Sequence, residues 1–134
     1  MTLLVPNVGE ELALKNFLNH TAPQNQVLDL YTSNTTPAEG DTAATYTAAT
    51  GGGYAQKSLT GSSWTVTPGA PTEAAYAQQN FTWTSVPGTA TMYGYYVRQA
   101  VSGILMWAER FTGAPYTIVN TADQVQVTPK ITAD

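Results

Sequence analysis

The chain has 134 residues, enough for one domain with one core, and 10% of them are charged, far below the roughly one quarter usual for soluble domains. A net charge of −4, with five bases scattered along the chain, leaves no basic run to neutralise phosphates and argues against nucleic-acid binding. There is no apolar run of about 18 residues to cross a membrane, and the absence of cysteine excludes disulfides, thiolate catalysis and Cys-based zinc sites.

Leu3, Leu4 and Val5 form a short apolar arm, and Pro6 biases Val5 away from helix. The first seven residues carry no base and too short an apolar run for a secretory signal. Asn7 followed by Glu10 resembles a capping box and predicts a helix from Val8 to Asn19. Leu14, Phe17 and Leu18 give that helix an apolar face, and Pro23 stops any continuation.

Beyond Pro23 the period falls to two. Val27–Thr32 reads as a strand with Leu28 and Leu30 on one face and Asp29 and Tyr31 on the other. Residues 33–41 are turn formers, Tyr46 alone anchors 42–50, and Gly51-Gly52-Gly53 is a turn or bulge. Tyr54–Leu59 and Trp64–Thr67 read as short strands, with a rigid turn over 68–71. Ala75–Thr84 carries Phe81 and Trp83 on one face and is broken by Pro87-Gly88.

Thr91–Gln99 and Ile104–Phe111 read as a hairpin. A two-residue turn at Val101-Ser102 sets Tyr96 opposite Trp107 and Tyr93 opposite Arg110, an aromatic pair and a cation–π pair. Tyr116–Asn120 and Gln124–Thr132 form a second expected hairpin across 121–123, with Pro129 marking the last strand as an edge. About nine short strands with regular turn signals define an all-β chain, read as a single β-sandwich of jelly-roll kind. The arm and helix occupy 1–22 and the sandwich body 23–134.

Chemistry-bearing residues are few. His20 is the single histidine, so neither a Ser nor a metal system has its partners, and it reads as a polar residue at a helix end. Asp29, Glu73, Glu109 and Asp123 show no spacing that marks a catalytic pair. Glu109 and Arg110 are strand neighbours, point to opposite faces and cannot pair with each other; one of them reads as a structural charge at a sheet edge or subunit contact. The triple glycine lacks the Gly-Lys-Ser/Thr ending of a phosphate loop. The run Tyr93-Gly94-Tyr95-Tyr96 could stack sugars or bases, but cross-strand packing explains it more simply. The expectation is a chain with no enzymatic activity, no cofactor and no metal.

Several stretches resemble small virion proteins of tailed bacteriophages: Leu4-Val5-Pro6-Asn7-Val8-Gly9-Glu10, Thr21-Ala22-Pro23-Gln24-Asn25, Tyr93-Gly94-Tyr95-Tyr96-Val97, Leu105-Met106-Trp107-Ala108-Glu109-Arg110-Phe111 and Val127-Thr128-Pro129-Lys130-Ile131-Thr132. The family is similar to phage capsid decoration, or cement, proteins. That resemblance implies a virion structural protein, made in the host cytoplasm, that binds the outer face of the major capsid protein shell as a homo-oligomer, a dimer or trimer. A tail-fibre or receptor-binding module contacting host glycans is the alternative. For a decoration protein, Leu3, Leu4, Val5, Leu14, Phe17 and Leu18 are the interaction residues, and the arm packs either on a neighbour or on its own sandwich. Tyr93, Tyr96, Trp107 and Arg110 form the structural aromatic hairpin.

Overall fold

The computed structural model describes residues 3–86 and 90–133. Its strands are β1 (Leu3–Leu4), β2 (Gln26–Tyr31), β3 (Lys57–Leu59), β4 (Thr65–Thr67), β5 (Thr72–Ala75), β6 (Gln79–Thr82), β7 (Ala90–Met92), β8 (Gly94–Gln99), β9 (Leu105–Arg110), β10 (Tyr116–Ile118), β11 (Gln124–Val127) and β12 (Lys130–Ala133). The one α-helix among the described residues, α1, spans Asn7–Phe17. The fold is all-β. Its main sheet is five-stranded and antiparallel, in the order β1-β9-β8-β2-β3. The remaining strands form a three-stranded sheet, β12-β5-β4, and the pairs β10-β7 and β11-β6. They do not divide into the two equal sheets of a jelly roll.

The main sheet is covered on both faces, which follows from its residue pattern. Leu28 and Leu30 on β2, Tyr95 and Val97 on β8 and Trp107 on β9 share one face and pack with Phe81, Trp83, Met92, Ile118, Val125 and Val127. Tyr31, Tyr96, Leu105 and Ala108 lie in a second cluster with Tyr46, against which Val8 and Ala43 pack. Tyr46 therefore does anchor its weakly patterned segment: its ring stacks on Tyr96 at 5.2 Å and tilts against Tyr31 at 4.9 Å. A strand buried on both faces loses its apolar–polar alternation, and β2 is buried from Val27 through Tyr31.

Several expected strands are divided. Ala75–Thr84 resolves into the end of β5 and β6, and Gln124–Thr132 is split before the buried Pro129, whose missing N–H cannot serve a ladder. The hairpin expected between Tyr116–Asn120 and the following strand does not form. β10 pairs with β7 and β11 with β6. The Asp123 carboxylate instead accepts the amides of Val119 and Asn120 at 2.8 and 2.9 Å, closing a local turn. Those two N–H bonds hold the Asp123 carboxyl below the usual range. β12 lies at the edge of its sheet, as Pro129 suggested. The break expected at Pro87-Gly88 lies outside the described residues.

The β8–β9 hairpin is out of register with the two-residue-turn reading by one residue. Near the turn the expected pairing holds, with Arg98 opposite Leu105. Between Val97 and Arg98 the register shifts, because Met106 is an extra residue on β9. Beyond it Tyr96 lies opposite Ala108, Val97 opposite Trp107, and Gly94 opposite Arg110. The bulge also resets the alternation. Leu105 joins the helix-side cluster, while Met106 and Trp107 both pack on the core side.

Candidate functional site

The arm is part of the body. Leu3 and Leu4 pair antiparallel with Glu109 and Ala108, and Leu3 and Val5 pack on the main core. Of the two placements open to the arm, the structure adopts the one on its own domain. Leu3, Leu4 and Val5 are half-buried in that position.

The helix starts differently from the capping-box expectation. Pro6 is its N-cap, no side chain caps it, and the Asn7 amide donates to the Glu39 carbonyl at 3.0 Å. Proline suits this end because the first amides lack intrahelical partners in any case. Gly9 and Leu12 are the buried helix residues. Gly9 is required by close approach: a Cβ there would run into the Met106 carbonyl oxygen at the bulge. The helix docks through Gly9 and Leu12, and its apolar residues further on turn outward. Leu14 is 64% exposed, Phe17 87% and Leu18 71%. A hollow of about 250 Å³ is lined by Val8, Leu12 and Lys15 of the helix and by Ile104 and Leu105. His20 lies exposed just past the helix end.

The aromatic hairpin is a packing element. Trp107 is buried and meets Trp64 edge-on at 6.0 Å. Tyr95 and Tyr96 are buried, so the Tyr-rich run is not an open stacking platform. Tyr96 and Trp107 do not face each other. The Arg110–Tyr93 contact survives the shifted register, with the guanidinium 5.0 Å from the ring centroid. Arg110 also donates to Thr35 O and Asn34 Oδ1. Gly94 is the residue that lets the Tyr31 hydroxyl approach, since a Cβ would collide with it and with the Glu109 carbonyl. Burial pushes the Tyr31 phenol up to about 12.

Two carboxylates are buried. Asp29 accepts from Tyr54 Oη at 3.0 Å and lies 3.6 Å from Arg98. Burial raises its pKa above the ordinary value, with Tyr54 and Arg98 pulling the other way. Of Glu109 and Arg110, it is Glu109 that turns to the core side, sharing strand parity with Trp107, and it accepts from the Tyr95 hydroxyl. It lines a cleft of about 320 Å³ together with Phe111, Tyr116, Gln124 and Gln126. Nothing in the sequence joined Glu109 to Tyr116 and Gln126, because that union depends on β11 crossing to β6. Among the described residues no group of three or more His, Cys, Asp or Glu gathers as a metal site, and no helix is long and apolar enough to span a membrane.

These features define a small all-β protein with a helix-borne apolar surface and a separate acidic cleft. Compared with protein-family models, curated proteins and solved structures, the chain finds no match in any of the three.

Proposed function

We propose that this chain is a virion structural protein: a capsid decoration protein that sits on the outer face of the major capsid protein shell and stabilises it. The observation that carries this reading is the exposed trio Leu14, Phe17 and Leu18, held on a helix fixed to a rigid β body. Large apolar side chains grouped at one helix end favour burial against a partner, and each is worth about 1.5–3 kcal/mol when covered. A shell that presents many equivalent sites would also support a dimer or trimer of this chain. The resemblance to decoration proteins supplies the choice of partner. The tail-fibre reading needs an open aromatic platform, and the burial of Tyr95 and Tyr96 removes most of it.

The test is co-sedimentation with shells of the major capsid protein that lack this chain. Replacing Leu14, Phe17 and Leu18 together with Ser should leave the circular dichroism spectrum unchanged and weaken attachment by more than about tenfold, since each ~1.4 kcal/mol is a factor of ten. Equal binding by the triple variant would sink the helix end as the docking surface. A few copies per particle, rather than near parity with the shell protein, would point to the tail instead.

A further inference from the structure

We propose that the cleft at Glu109 is a binding site for a protonated alkyl amine. The inference is independent of the capsid reading and rests on a charge that meets no counter-ion among the described residues. Glu109 is only 9% exposed, and its carboxylate takes a single hydrogen bond among the described residues, from Tyr95. A buried carboxylate is normally matched by a cation or by several donors.

The five Lys and Arg side chains are each engaged elsewhere. Lys15 pairs with Glu11, Arg98 with Asp29 and Lys130 with Glu73. Lys57 lies over the Phe81 ring, and Arg110 leaves on the opposite face to Asn34 and Thr35. Lys130 does line the adjoining hollow beside Glu109, but its ammonium is held by Glu73.

The walls suit an ammonium group. Tyr95, Phe111 and Tyr116 form a continuous aromatic row, with centroids 6.2 and 5.4 Å apart, and ring faces attract cations. The Gln124 and Gln126 amides line the same space and have carbonyl oxygens to accept further N–H bonds. A volume of about 320 Å³ accommodates one alkyl chain with its charged head. A neutral sugar would fill the space but leave the carboxylate uncompensated.

The experiment is a titration of the isotope-labelled full chain, read by amide chemical shifts. The probes are n-butylammonium chloride, acetyl-Gly-Lys-Gly-amide, n-butanol and N-acetylglucosamine. The two amines should give saturable shifts around Tyr95, Glu109 and Tyr116, and the two neutral probes none. Tighter binding of the peptide would identify a partner's lysine side chain as the source, and tighter binding of butylammonium a small free amine. Glu109→Gln should weaken either by at least about tenfold, the value of one charge-assisted hydrogen bond. Gln126→Lys, at an exposed position of β11, should supply the missing cation internally and abolish binding, and it decides the matter if Glu109→Gln fails to fold. Absence of amine binding, equal binding of butanol or the sugar, or full affinity in a folded Glu109→Gln or Gln126→Lys variant overturns the proposal.

Discussion

Gly9→Ala separates helix propensity from packing, because the two predict opposite signs. Inside a helix, Gly is about 1 kcal/mol worse than Ala, so at an open position the substitution would stabilise. Gly9 is buried against the bulge on β9, and the added methyl meets the backbone oxygen of Met106, which cannot rotate away as a side chain could. Relief requires the helix to lift. Lifting uncovers part of Leu12, which is 3% exposed, and of Val8. Overpacking of this kind costs about 1–3 kcal/mol, and partial exposure of an apolar side chain adds on the order of 1 kcal/mol. Set against the propensity gain, the net effect is a destabilisation of about 1–3 kcal/mol, or a fall in Tm of roughly 3–12 °C for a domain of this size. Urea and thermal unfolding of Gly9→Ala measure it, with Ala13→Gly on the exposed helix face as the control, expected to lose only about 1 kcal/mol. A Gly9→Ala protein more stable than the parent would show that the helix does not depend on close approach to β9.

Trp107→Ala should cost about 3–5 kcal/mol in urea unfolding, because the ring is buried between Trp64 and the strands behind it. Val5→Ser should lower stability by about 1–2 kcal/mol and leave particle attachment unchanged, since Val5 packs on the chain's own core. For Asp29, the raised folded pKa means that the folded state holds its proton at a pH where the unfolded chain has released it. Its contribution to stability is therefore present at low pH and lost as pH rises from the ordinary carboxylate value through the raised one. The stability of the parent relative to Asp29→Asn should accordingly fall as pH rises from the ordinary Asp value of about 4. A difference that rises with pH instead would mean that Arg98 and Tyr54, not burial, dominate.

The all-β class was legible because period-2 patterning survives where one strand face is solvated. Val125 and Val127 are buried, while Gln124 and Gln126 are exposed. The interior strand β2 was also found within one residue at each end, although it is buried on both faces, because Asp29 still interrupts its apolar run. Partnership was less legible. β10 and β11 are close in sequence, but a side chain, Asp123, satisfies the turn and releases both strands to distant partners. The hairpin register failed at Met106, where a bulge went unread, and the turn itself is wider than two residues, with Gly103 donating to the Gln99 carbonyl and Ala100 to that of Asn25. Bulges leave no residue-type signature at such a position, although a glycine facing one from the helix, as Gly9 does, is a clue visible only once the two are together. Of the expected interaction residues, Leu14, Phe17 and Leu18 lie exposed, and the arm takes one of the two placements the sequence left open, because an apolar tripeptide looks the same whether a neighbour or its own sheet covers it.

The pairing of β1 with β9 bears on how densely copies can be crowded without polymerising. An open strand edge offers a row of unpaired amides and carbonyls to any similar edge nearby. Here one side of the five-stranded sheet ends in a strand of two residues that passes directly into α1, and the other side ends in β3, only three residues long. Among the described residues, neither is long enough to template a further strand. Stripping Leu3 and Leu4 would uncover the six-residue β9 alongside its neighbours and turn a blunt border into an adhesive one. On the proposed capsid surface, where copies would crowd together, such a blunt border would guard against fibre formation.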